Sequence, residues 1–551
     1  MSKTKILKLC CLLIVCTGWQ QVQAQDAQHF EISKQLDIFN AIVKEVEMFY
    51  VDSVEVDKMV RRGINAMLRG LDPYTEYYPE QETDNLTRVQ TGEYGGIGAL
   101  ISQRDEGVYI ADPFEGMPAR LAGLKAGDII LKVDTTDVSK FSSDRVVELL
   151  KGVPNTKLTL IIQRPGEKNT RQFEITRKQV SLNPVIHYGV YGDKTGYIYQ
   201  DGFSEKTAQA VKAAFEDLKQ NYQITSLILD LRNNGGGILD AAVQIANIFV
   251  PKGKEIVSML GSNRQRDRIY RTSLNPVDTV MPIAILINGG SASSSEILCG
   301  ALQDLDRAVI VGERSFGKGL VQTTRNLPFE GMLKVTTSKY FIPSGRCIQQ
   351  MDYSHRNPDG SINAIPDSLT TVFYTENGRP VRDGGGLRPD FEIEEPAMPT
   401  MMYYLASDMA LFDYVTEWEQ AHPTIPPAEE FVFPDEDYES FKTYLKNKNF
   451  TYDRQSGKVL NSLKEVAEFE GYLDENPNLF ADMEAMLTPD LERDLIRFKE
   501  QIKKLIAVEI VKRYYSQRGE AIESLKNDPV LEKALSVLAD HDLYRQTLLI
   551  E

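Results

Sequence analysis

Ile283-Ala284-Ile285-Leu286-Ile287-Asn288-Gly289-Gly290-Ser291-Ala292-Ser293-Ser294-Ser295-Glu296-Ile297-Leu298-Cys299-Gly300-Ala301-Leu302 is the stretch whose reading decides the fold. Its first five residues are apolar and mostly β-branched, short enough for a buried strand. A turn of small residues follows, and a helical pattern takes over at Ile297. Strand, tight turn and helix together present a serine hydroxyl at a helix N-terminus, where unpaired backbone N–H groups can face a developing oxyanion. The next strand, Ala308-Val309-Ile310-Val311, runs into Gly312-Glu313-Arg314-Ser315-Phe316-Gly317-Lys318-Gly319. A lysine between glycines permits close backbone approach and offers an amine to an incoming chain.

The five histidines, His29, His187, His355, His422 and His541, all lie outside this stretch. A Ser-His-Asp triad therefore has no local support, and a Ser-Lys dyad is the natural substitute. The plainer alternative, a Gly/Ser loop beside a surface lysine, stays open on local chemistry. Gly312 to Lys318 also fits G-x-x-x-x-G-K, close to a phosphate-binding loop. The hydroxyl that would hold Mg²⁺ is replaced by Gly319, and Leu320-Val321-Gln322-Thr323-Thr324 reads as strand where the phosphate cradle needs a helix. No nucleotide, metal or other cofactor is expected.

N-G-G-S-A-S-S-S-E after a strand, then V-I-V-G-E-R-S-F-G-K-G-L-V-Q, resembles the paired active-site segments of the C-terminal processing peptidases, or tail-specific proteases. The resemblance implies that Ser293 is the nucleophile, Lys318 the general base and Gln322 the residue that orients the lysine. Ser294 stands where the family often has alanine, so the choice of Ser293 over Ser291, Ser294 and Ser295 rests on the resemblance. Glutamine at 322 suits the role, because it can accept from an amine without a charge that would raise the amine's pKa. Asp230-Leu231-Arg232-Asn233-Asn234-Gly235-Gly236-Gly237 is similar to the family's D-L-R-x-N-x-G-G element. By that resemblance Gly236 or Gly237 joins the backbone N–H of Ser294 in an oxyanion hole. The same glycines also suit a strand-to-helix turn that needs positive φ.

From Gly92 to Leu182 short strands alternate with turns, and Pro118-Ala119-Arg120-Leu121-Ala122-Gly123-Leu124-Lys125-Ala126-Gly127-Asp128-Ile129-Ile130-Leu131 closely resembles a PDZ domain. Gly95, Gly96, Ile97 and Gly98 are the candidate loop for a terminal carboxylate, with Ile97 and Leu100 the side chains assigned to the pocket above it. An adjoining strand edge would take an extended peptide by β-augmentation.

Lys3, Lys5 and Lys8 precede the apolar run Leu9–Val15, which is too short to span a bilayer comfortably, and Val22-Gln23-Ala24 offers small residues before a cut. Residues 1–24 are expected to be a secretory signal peptide. Val15 is too large for a good lipobox before Cys16; a retained anchor is the other alternative. Only Cys299 and Cys347 remain beyond this segment, too few for a disulfide framework or a zinc site. The formal net charge of −17 argues against nucleic acid or anionic membrane as a partner.

The expected architecture is multi-domain α/β: residues 25–90 an N-terminal helical region, 91–182 an inserted PDZ domain, 183–395 a serine protease core of the crotonase/ClpP-like kind and 396–551 an all-helical C-terminal domain. Leu71-Asp72-Pro73-Tyr74-Thr75 is similar to a family segment and reads as an aromatic turn. The implied function is an exported, periplasmic Ser-Lys endopeptidase that recognises unfolded or tail-exposed proteins through their C-termini. The alternative is a non-catalytic PDZ-containing peptide-binding scaffold. The C-terminal helices carry no chemical signature, which leaves substrate cradle, homo-oligomer contact and adaptor docking all open.

Overall fold

The computed structural model describes residues 30–80, 93–181, 183–262, 264, 267–357, 359–394, 398–472 and 477–550. The expected signal peptide at 1–24, with its three cysteines, lies outside them. Residues up to 83, with 322–336, form one compact unit, and the rest of the chain forms another.

The larger unit is built on a six-stranded sheet in the order Val185–Tyr191, Thr195–Gln200, Ser226–Asp230, Ile283–Ile287, Val309–Gly312 and Phe391–Glu392. The first pair is antiparallel and every later pair parallel. Parallel neighbours need crossovers, and the helices Thr207–Asn221, Leu239–Phe249 and Ser294–Asp304 supply the first three. All three cover one face, where Leu227, Leu229, Ile283, Ile285, Ile287 and Ile310 meet Val211, Phe215, Ile245, Phe249, Ile297 and Leu298.

The intervening residues Ile228, Ala284, Leu286, Val309 and Val311 point to the other face. There they pack against Val530, Leu531, Ala534, Val537, Leu538 and Tyr544. The helices Pro529–Ala539 and His541–Thr547 are thus a layer on this sheet. Residues 396–551 were expected to form the C-terminal helical domain; within them the segment up to about Ile522 packs on a core of its own, around Leu405, Trp418, Phe441, Leu495 and Ile506. The helix Lys499–Ser524 joins the two and breaks at Ser516, whose φ is 55° and ψ −157°.

Ala99–Arg104, Gly107–Pro113, Ile129–Val133, Lys157–Gln163 and Arg171–Thr176 make the sheet of the PDZ domain, with Ser143–Leu150 as its main helix. Ala99–Arg104 is an edge strand, as β-augmentation requires. Arg104 and Lys125 pair with Asp413 and Glu419, so this domain leans on the C-terminal helices.

In the smaller unit a helix over 30–49 and the helix Val56–Arg69 precede the strand Glu76–Tyr78, which pairs antiparallel with residues 332–334. Between helix and strand, Asp72 Oδ1 accepts the N–H groups of Tyr74 and Thr75, both at 2.8 Å. The L-D-P-Y-T segment is therefore a carboxylate-nucleated turn. Asp72 and Thr75 are its buried residues, and its tyrosine is half-exposed.

Candidate active site

Two turns leave neighbouring strands at the same end of the sheet: 231–237 after Ser226–Asp230, and 288–293 after Ile283–Ile287. Hydrogen bonds fasten them together. Ser291 Oγ donates to the Leu231 carbonyl at 2.8 Å, Ser295 Oγ to Asn234 at 2.7 Å and Ser294 Oγ to Gly237 at 2.9 Å. The Ala292 N–H also reaches the Asn234 carbonyl. Three of the four adjacent hydroxyls are thus committed to one turn, and Ser293 is the serine that is not.

Ser293 is the N-cap of the helix Ser294–Asp304 and sits at φ 57°, ψ −114°. Such a conformation costs a non-glycine residue on the order of 1–3 kcal/mol and persists only where surroundings impose it. The surroundings here are the three serine straps and a carboxylate from inside the helix.

That carboxylate is Glu296, fully buried. Its Oε2 accepts the backbone N–H of Ser293 at 2.9 Å and of Lys318 at 2.9 Å. Its Oε1 accepts Ser315 Oγ at 2.5 Å and the N–H of Gly317 at 2.7 Å. One side chain therefore joins the serine turn to the lysine loop. Burial pushes its pKa up to about 7, against the pull of these four hydrogen bonds. A second link comes from Tyr340, whose hydroxyl donates to the Lys318 carbonyl at 2.5 Å and lies 3.3 Å from the carbonyl of Ser293. The Phe316 N–H bonds the Ser291 carbonyl as a third. Glu296 and Tyr340 escaped the sequence reading, although Ser293-Ser294-Ser295-Glu296 carries the S-x-x-E capping signature that pointed to the first.

Gly236 has φ +98°, and a Cβ there would lie 2.8 Å from Ser293 Cβ and 2.9 Å from Ser294 N. Only glycine permits this approach of the two turns. The Gly236 N–H already donates to Asn234 Oδ1 at 2.9 Å. Among the described residues the Gly237 N–H has no backbone acceptor, so of the two glycines Gly237 is the one able to face a new oxyanion.

Gln322 lies on the strand Leu320–Asn326, four residues past Lys318. Its Nε2 donates to Thr336 Oγ1 at 3.1 Å, and the Thr336 N–H reaches Thr75 Oγ1 at 3.3 Å. Thr75 in turn donates to Asp72 Oδ2 at 3.0 Å. The turn of the L-D-P-Y-T segment thus supports Gln322 through two threonines.

In the PDZ domain, Gly95 and Gly96 were expected in a loop but belong to the strand Glu93–Gly96, paired with Gln179 and Lys178. Only Ile97 and Gly98 form the break before Ala99. Ile97 is buried among the domain's core residues, so its side chain serves packing, while Leu100 is exposed. Cys299 is buried and Cys347 half-buried, both as free thiols.

The Peptidase family S41 profile matches residues 194–359, the PDZ domain profile 86–163 and the C-terminal helical domain of probable PDZ-proteases 401–538. A carboxy-terminal-processing protease of Bartonella bacilliformis is 37% identical over 319 residues, 57% of this chain and 73% of that protein. A probable CtpA-like serine protease of Staphylococcus aureus is 34% identical over 338 residues, 60% of this chain and 66% of that protein. The solved structure of a photosystem II D1 C-terminal processing protease is 28% identical, over 65% of this chain and 87% of that one, with a TM-score of 0.35. With its S41 core, PDZ domain and C-terminal helices, the chain belongs to the family of the carboxy-terminal-processing proteases.

Proposed function

We propose that the chain is a serine endopeptidase that works through a Ser293–Lys318 dyad on exported proteins whose C-terminal tails its PDZ domain captures. One observation carries this reading: Ser293 and Lys318 hang their backbones on the same oxygen of Glu296. Two segments separated by more than twenty residues are thereby held as one piece at the open end of the sheet.

Ser293 Oγ attacks the scissile carbonyl while Lys318 Nζ takes its proton. The carbonyl oxygen becomes an oxyanion facing the N–H groups of Gly237 and Ser294. Collapse breaks the C–N bond, and the proton on Lys318 passes to the leaving amine. Water, deprotonated by the same amine, then hydrolyses the acyl-enzyme and regenerates the hydroxyl. Lys318 must be neutral at the start. A free lysine has a pKa of about 10.4, so only about one molecule in 2,500 would be competent at pH 7. A drop of about three units is needed, which burial of the amine can provide. Gln322 assists as an uncharged acceptor for the amine.

The basic start, apolar run and small residues of 1–24 support export to the periplasm, with the N-terminus either removed or retained as a membrane tether. Substrates are unfolded or tail-exposed proteins, and the C-terminal helices offer surface for a second copy or an adaptor.

The test is incubation with an unfolded reporter protein ending in apolar residues. Degradation by the wild type that vanishes in both Ser293→Ala and Lys318→Ala is expected. Equal degradation by Ser293→Ala overturns the mechanism; binding of the tail without any cleavage by the wild type identifies a scaffold instead.

A further inference from the structure

Arg232 opens the turn that carries Gly236 and Gly237, and its guanidinium is held from two sides. Asp230 takes Nη2 at 2.6 Å and Nε at 3.0 Å. Asp528, almost three hundred residues away in sequence, takes Nη2 at 2.7 Å. Both aspartates are buried. Tyr197 donates to Asp230 Oδ2 at 2.7 Å and fixes the inner carboxylate. Burial opposes the charge of Arg232, and the two aspartates more than offset it, so the guanidinium stays protonated.

Asp528 has a second task. As N-cap of the helix Pro529–Ala539, its Oδ1 accepts the N–H of Val530 at 2.9 Å and of Leu531 at 3.2 Å, while Oδ2 faces Arg232. The helix is not free to drift, because Val530, Leu531, Ala534 and Val537 are sunk against Ile228, Leu286 and Val309. Farther along, Tyr544 Oη accepts the N–H of Ile283 at 2.9 Å, at the start of the strand that leads to Ser293. The helix is therefore a rigid mount bolted to the same strands that carry the catalytic turns.

We infer that Asp528 is a positioning residue for proteolysis: through Arg232 it fixes the outer side of the 231–237 turn, whose inner side the serines strap, so that the Gly237 N–H is aimed at the oxyanion. This rests on the Ser-Lys reading above. Asp230 alone cannot do it, since it lies two residues from Arg232 on the same strand end and moves with it. A guanidinium fork bridging two carboxylates sets direction as well as distance.

The discriminating variant is Asp528→Asn in the full chain. Asparagine caps a helix as well as aspartate does, so the cap survives and only the charge facing Arg232 is lost. Turnover of a peptide substrate should fall about tenfold or more, as expected when a catalytic group is displaced by a fraction of an ångström to an ångström. KM and the binding of a free tail peptide should be unchanged. A peptide boronate, which forms a tetrahedral adduct on the serine, should bind more weakly by the same factor; a purely structural role would not single it out. Asp528→Glu should keep most of the activity. Arg232→Lys, which retains charge but loses the fork, should reproduce the turnover defect, and this arm stands if Asp528→Asn fails to fold. Wild-type turnover in either Asp528→Asn or Arg232→Lys, or a loss that follows only the folded fraction by near-ultraviolet circular dichroism, overturns the inference. Should Ser293→Ala cleave like the wild type, the Ser-Lys reading falls instead, whatever the Asp528 variants do.

Discussion

Glu296 accepts the backbone N–H of Lys318 from inside the helix that begins beside Ser293, and it does so at 2.9 Å with the oxygen that also accepts the Ser293 N–H. The spacing of the segments that carry Ser293 and Lys318 is therefore set by one buried carboxylate. All four groups that bond it are donors, so the arrangement is made for the ionised form.

This gives activity and stability opposite pH slopes. The Glu296 pKa is raised from 4.5 to about 7 by burial. Between those values the folded state binds more protons than the unfolded state. The stabilisation from this group is complete below about pH 4.5 and is lost as pH rises through 7. The four-donor clamp, by contrast, forms as the carboxyl ionises, so turnover should rise across the same window. Rate–pH profiles and urea midpoints at pH 5 to 8 check both. Glu296→Gln should flatten its share of the stability slope and lower turnover by about a hundredfold.

Three of the adjacent serines should separate cleanly. Ser291→Ala and Ser295→Ala each remove one buried hydrogen bond to a carbonyl that keeps a backbone donor, from Asn234 and Ala292 respectively, which costs about 0.5–1.5 kcal/mol, and both should retain measurable cleavage. Ser293→Gly removes the proposed nucleophile but also relieves a positive φ, so this variant should be inactive and more stable by about 1 kcal/mol. Thermal melting beside a cleavage assay reads all three.

Lys318→Arg should be as inactive as Lys318→Ala. Arginine carries the same charge but cannot give up its proton in a protein, so it cannot serve as base. Retained cleavage by the arginine variant would mean that charge alone, not proton transfer, is what position 318 supplies.

Neighbouring glycines should respond very differently. A Cβ at Gly236 would lie 2.7 Å from the Ala292 carbonyl oxygen, whereas one at Gly235 meets nothing within 4 Å. Gly236→Ala is expected to lose at least a hundredfold in turnover by wedging the two turns apart, and Gly235→Ala to behave as wild type. Single-turnover kinetics on a short peptide make the comparison independent of tail capture.

Tail capture is tested at Gly98. Its φ is +71°, and a Cβ there would sit 2.4 Å from Met117 Cβ. Gly98→Ala should raise KM for proteins with a free apolar C-terminus while leaving turnover of short peptides unchanged.

Much of this was legible in the residues, and what was not has physical causes. Ile283–Ile287 and Ser226–Asp230 announced buried strands because their apolar runs are continuous. That continuity also held an unread message: a strand without a polar face needs two covers, and the crossover helices supply one. The second cover, Val530 to Leu538, is an amphipathic helix whose sequence does not say which surface it will meet. The choice among the serines was likewise closed to the sequence, since the carbonyls that occupy Ser291, Ser294 and Ser295 lie some sixty residues away. Gly95 and Gly96 misled for the opposite reason. Glycine suggests a loop, but at Gly95 it is needed inside a strand, where a Cβ would lie 2.1 Å from the Gly152 carbonyl.

The serine straps bear on how such an enzyme is kept in check. Bending the backbone at Ser293 out of line would mean breaking several buried hydrogen bonds together, each worth about 0.5–1.5 kcal/mol. A turn fastened that firmly keeps its shape whether or not a chain is present. Restraint must then act on admission: which chains are threaded as far as the cleft, and whether the way in stands open when they arrive.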